Sequence, residues 1–183
     1  MPYTTHRKPR EDYAFLSMWL TGYDFRVEMG VNTNLRANLL RVRPDDRVFE
    51  ARNWLEISGK CFDPEERAGE KFVITLSSDP TPEGFSETGR DFQKKGEYGK
   101  PQYRTYRGAH VPIFECPQGI TPLWRNRKVD PWQGYLKASE SYVSDCLTVL
   151  TSKAARYMFI HERIIGRDHW INGLSIQSGN PAE

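Results

Sequence analysis

The chain has 183 residues, 38% of them hydrophobic and 27% charged, with a formal net charge of +2. This suits one globular domain with a sizeable core and falls short of the basicity of dedicated nucleic-acid binders. The longest apolar-rich run, residues 13–20, is interrupted by Ser17 and is too short for a membrane span of about 20 residues; the basic N-terminus lacks the apolar block of a secretory signal.

Residues 1–12 are polar, with Pro2 and Pro9, and predict a flexible N-terminal arm ahead of a single globular β-rich domain over 13–183. Residues 13–21 are nearly continuously apolar, which fits a buried strand or a short helix. Gly22-Tyr23-Asp24 reads as a turn. Phe25, Val27, Met29 and Val31 then alternate with Arg26, Glu28 and Gly30, as in a half-buried strand.

Residues 54–78 give the clearest unit. Leu55, Ile57, Gly59 and Cys61 share one parity, as do Phe72, Ile74 and Leu76. The intervening acidic segment holds Pro64, which fixes φ, and Gly69, which permits a positive φ. An antiparallel hairpin is expected. Residues 79–101 contain Gly84, Gly89, Gly96 and Gly99 with Pro80, Pro82 and Pro101, and predict a long loop. Residues 103–114 are strand-like, with Pro112 marking an edge. Loop is expected over 117–131 and another strand over 132–138.

Residues 139–152 predict a helix, with Val143, Cys146, Leu147 and Leu150 on one face and Ser139 or Ser141 as N-cap. Residues 156–177 predict a terminal hairpin turning at Gly166-Arg167. That turn pairs Arg163 with Trp170, His161 with Asn172 and Tyr157 with Ile176. The expected fold is mostly β: an antiparallel β-sandwich, or a strongly curved sheet or barrel, with one α-helix packed near residues 139–152.

Few catalytic patterns survive inspection. His161-Glu162 opens H-E-x-x-H, but Ile165 stands where the second histidine belongs, and the segment is strand-like. His161 reads instead as a residue bonded to Asn172 or the backbone, and His169 as a solvent residue near the turn. No metal site and no cofactor is expected, since phosphate-cradling glycine motifs are also missing. Cys61, Cys116 and Cys146 are widely spaced and no N-x-S/T sequon occurs, which points to a reducing compartment, the cytoplasm. Cys116 with His110 is the weak candidate for a small cysteine enzyme, opposed by Glu115 beside the sulfur.

Charge is unevenly spread: residues 48–89 sum to −5 and residues 90–128 to +6. In the basic stretch, Arg90, Lys94, Lys95, Lys100, Arg104 and Arg107 are interleaved with Tyr98, Tyr103 and Tyr106, and Trp124, Arg125, Arg127 and Lys128 extend it. Tyr, Trp and Arg are the residues that interfaces favour. The expectation is a non-enzymatic binding or accessory protein, with a protein partner or a second copy of itself. Single-stranded nucleic acid is the alternative, since cations neutralise phosphates while rings stack on bases.

Overall fold

The structure is a computed structural model that describes residues 10–31, 49–78, 93–114 and 119–183. It is mostly β, with a closed barrel at its centre. The strands are β1 (Glu11–Val31), β2 (Phe49–Asp63), β3 (Lys71–Ser78), β4 (Tyr103–Tyr106), β5 (Ala109–Pro112), β6 (Thr121–Trp124), β7 (Trp132–Ala138), β8 (Tyr157–Ile165) and β9 (Asp168–Gln177). The barrel runs β1-β2-β3-β7-β6-β9-β8 and closes by pairing β8 with β1; β4 and β5 form a separate two-stranded sheet. Every barrel pair is antiparallel except β3–β7, which runs parallel from Phe72↔Trp132 to Ser78↔Ala138.

Alternation fills the barrel. Leu16 and Met18, Leu55 and Ile57, Phe72, Ile74 and Leu76, Leu136, Met158 and Ile160, and Ile171 are buried and share one core. Gly59 sits where a Cβ would lie 2.8 Å from the Met158 side chain and 3.2 Å from Met18 Cβ, so a larger residue would displace its neighbours. The helix α1 (Glu140–Thr151) starts on Ser139, whose hydroxyl accepts from the Tyr142 amide at 3.2 Å. It buries Val143, Cys146 and Leu150 and packs beside β2 and β3. No described helix is long and apolar enough to cross a membrane.

The structure corrects several boundaries. Residues 13–31 contain no turn at Gly22: β1 runs straight through, and a register shift between Leu20 and Gly22 absorbs the extra residue. The run 13–21 is also not buried throughout. Leu16 and Met18 point inward, whereas Tyr13, Phe15 and Trp19 form an exposed outer wall. Phe15 stacks on His161 at 4.7 Å, and Trp19 meets Phe62 at 5.0 Å and Tyr157 at 4.8 Å. Beyond the rim, β1 and β2 pair only with each other among the described residues, Val27 opposite Asn53 and Met29 opposite Ala51, and Met29 is 81% exposed.

Residues 103–114 are not one strand. Arg107 (φ 50°) and Gly108 (φ 80°) both take positive φ and reverse the chain, so Tyr106 faces Ala109 and Tyr103 faces Pro112. The stretch 117–131 contains a strand, β6, read above as loop because it is only four residues long and includes Pro122. The terminal hairpin turns at Gly166-Arg167 as expected, and Arg163 faces Trp170. A shift between His161 and Glu162 then moves the register by one residue, so His161 faces Gly173 and Tyr157 faces Gln177. The predicted arm and long loop fall mainly on 1–9 and 79–92, outside the described residues; Glu11 and Asp12 belong to β1.

Burial sets the chemistry of the two described cysteines. Desolvation pushes the Cys61 thiol up to about 11, against the opposing charge of Arg67, and burial also raises Cys146. A thiol with a raised folded value keeps its proton at neutral pH. Iodoacetamide at neutral pH is therefore expected to leave both unlabelled in the native protein and to label both in urea, read by peptide mass spectrometry. Native labelling of Cys61 would show that its end of the barrel opens.

Candidate functional site

Two arrangements stand apart from the hydrophobic core. The first is the basic, aromatic sheet. Gln93 bridges Phe114 and Lys95 bridges Pro101, while the Gln102 amide donates to the Lys94 carbonyl at 2.8 Å and the Ile113 amide to the Gln102 carbonyl at 3.0 Å. Three short segments are thereby tied together without joining the barrel sheet. Lys94, Lys95, Tyr98, Lys100, Tyr103, Arg104, Tyr106 and Arg107 all belong to it and are exposed. All four residues of β4 are exposed, so both of its faces are open. Tyr98 is 95% exposed with φ 64°, a conformation costly for a bulky side chain. The Arg107 guanidinium lies over the Tyr106 ring at 5.3 Å.

His110 is exposed and faces Thr105 across this hairpin. Its proposed partner Cys116 lies outside the described residues, as does Arg90. Trp124, Arg125, Arg127 and Lys128 occupy the end of β6 and the connection to β7, a different part of the chain path. Trp124, Arg127 and Lys128 are exposed there, but Arg125 is drawn into a second arrangement.

That second arrangement is a charged network at the barrel end where the β2–β3, β6–β7 and β8–β9 connections lie. Glu162, near the C-terminal end of β8, is fully buried. Its Oε2 accepts from Arg67 Nη1 at 2.9 Å, and its Oε1 lies 2.8 Å from His169 Nδ1. Arg67 also donates through Nε to Glu70. Glu70 in turn accepts from Arg125 Nη1 at 3.1 Å and from the Trp132 indole at 3.0 Å. The Trp132 ring is covered by the Arg125 guanidinium at 4.2 Å and meets the His169 ring at 4.6 Å. Arg67 lies 5.2 Å from the Trp132 ring centre and 5.7 Å from that of Phe72.

Electrostatics favours the charged forms of Glu70 and Arg67. Burial works against the Glu70 carboxylate, yet the Arg67 hydrogen bond and charge, the Trp132 indole and Arg125 together hold it below the usual carboxylate range. Burial likewise works against the Arg67 guanidinium, and the charge of Glu162 with the Glu70 hydrogen bond raises it above its ordinary value.

The network was missed in the sequence because its members come from four separate segments and share no spacing. It corrects one reading: His169 is not a solvent residue but is partly buried against Glu162. His161 does meet Asn172, with Nδ1 and Nδ2 3.3 Å apart, and points outward, so the two histidines lie on opposite faces. No group of three or more His, Cys, Asp or Glu residues able to hold a metal ion occurs among the described residues. Comparisons with family models, with curated proteins and with solved structures found no match.

Proposed function

We propose that this chain is a non-enzymatic binding protein that captures an acidic protein partner through the β4–β5 hairpin and the residues bridged to it. The observation that carries the reading is β4 itself, whose Tyr103, Arg104 and Tyr106 are all exposed on a strand that adds nothing to the barrel core. Exposed Tyr and Arg are the side chains that dominate binding energy at interfaces. Lys94, Lys95, Lys100 and Arg107 around them favour a negatively charged surface. The buried free thiols Cys61 and Cys146 fit a reducing compartment, for which we propose the cytoplasm.

The double variant Arg104→Ala/Tyr106→Ala is expected to keep its stability within about 0.5 kcal/mol, since both residues are exposed. The same variant is expected to lose a partner that the parent chain captures in a pull-down. Undiminished capture would remove the hairpin from the interface. The cation–tyrosine mixture, with Arg107 over Tyr106, also favours single-stranded nucleic acid as a second reading. Fluorescence anisotropy with labelled oligonucleotides decides it, because such binding must weaken steeply with salt.

A further inference from the structure

The first strand outruns one of its neighbours. β8 follows β1 only as far as Trp19↔Tyr157, after which the Leu20 amide donates to the Arg156 carbonyl at 2.9 Å. From Gly22 to Val31, β1 pairs with β2 on one side and with no described residue on the other. Both faces stand open there. Val27 is 63% exposed on one, and the side chains of Arg26 and Glu28 are 69% and 52% exposed on the other. A Cβ on Gly22 or Gly30 would meet no described atom within 4 Å. Proteins blunt such edges with proline, lysine or bulges, because an open edge is a template for another strand. Gly22–Val31 contains no proline or lysine, and its register with β2 is unbroken.

We propose that this edge pairs antiparallel with the same edge of a second copy, about a two-fold axis at Val27. The side chains select that occupant and that register. Residues directly opposite share a face of the sheet, so a slip by one would set the charged row Asp24, Arg26 and Glu28 against Phe25, Val27 and Met29. Centring on Arg26 would oppose two arginines and set Asp24 against Glu28. Centring on Glu28 would oppose two carboxylates. Centring on Phe25 would carry the second copy's Val31 opposite Trp19, a place that Tyr157 already holds. Centring on Val27 leaves every pair matched. Arg26 faces the second copy's Glu28 and Glu28 its Arg26, while Phe25 meets Met29 and Val27 meets Val27. Arg26 already bonds Glu28 of its own strand at 3.2 Å, so the two copies together form a ring of alternating charge. Main-chain hydrogen bonds along the edge supply affinity, and these pairs supply specificity.

Sedimentation equilibrium of the full chain is expected to show a concentration-dependent dimer, with a Kd of about 1–100 µM for so narrow an interface. Arg26→Glu sets four carboxylates together, and Glu28→Arg sets four guanidinium groups together. Each is expected to weaken the dimer at least about tenfold while melting like the parent, since both side chains are exposed. Mixing the two variants should restore a one-to-one dimer, and so should Arg26→Glu/Glu28→Arg in one chain. Val27→Cys should cross-link to itself on mild oxidation, read as the joined peptide by mass spectrometry, because directly opposite Cα atoms lie within disulfide reach. Tyr23→Cys should not, since its counterpart lies roughly 27 Å away along the paired strands. The proposal is overturned if the parent stays monomeric to about 1 mM, well above that range. It is equally overturned if the charge variants dimerise like the parent, if mixing them fails to restore the dimer, or if Tyr23→Cys cross-links as well as Val27→Cys. None of these results bears on capture by the hairpin, so the two surfaces stand or fall separately.

Discussion

Glu162→Ala is expected to lower the unfolding free energy by about 3–5 kcal/mol, read as a shift of the urea midpoint. The carboxylate is fully buried and receives Arg67 on one oxygen and His169 on the other. Removing it leaves the Arg67 guanidinium inside the barrel with Glu70 as its remaining anion. Arg67 Nη2 is already buried without a hydrogen-bond partner among the described residues, so no reserve exists to take up the loss. Set against a typical total of about 5–15 kcal/mol, this change brings the fold close to its limit. A loss below about 1 kcal/mol would mean that water reaches Arg67 and screens it.

Phe72→Ala is expected to cost about 3–5 kcal/mol as well, through a different mechanism. Phe72 is fully buried on β3, and its ring lies parallel to Trp132 at 6.4 Å. Truncation leaves a cavity that the closed sheet around it cannot collapse to fill. The same ring is the floor beneath Arg67. The two substitutions therefore share a neighbour, and the double variant should depart from the sum of the single losses by about 0.5 kcal/mol or more. Strict additivity in a double-mutant cycle would show that Arg67 is held by its ion pairs alone.

Much of the barrel was legible where one face is buried and the other wet. Leu55, Ile57, Phe72, Ile74 and Leu76 announce β2 and β3 because each slip by one residue would turn them into solvent. Ser139 and the apolar spacing behind it mark the helix for an equally local reason. Gly22-Tyr23-Asp24 misled because a bulge and a turn use the same residues, and only the partner strand decides between them. Arg107-Gly108 went unread as a turn because arginine seldom takes a positive φ. The exposed tyrosines and cations of the hairpin were visible as composition. The network around Glu162 was not, because Arg67, Arg125 and His169 become neighbours only when β2, β6 and β9 meet at one end of a closed sheet.

The pairing of β1 with β8 also governs how the molecule is made. Glu11, on the first strand, takes Ile165, near the end of the chain, as its partner. Contacts so distant in sequence are slow to form, because a long loop must close before any of them is rewarded. Until β8 and β9 leave the ribosome, β1 on one side and β6 on the other are open strand edges, the condition in which nascent sheets pair with the wrong neighbour. The terminal hairpin thus supplies both missing neighbours in a single step, and synthesis of the last strands sets the earliest moment at which the barrel can exist.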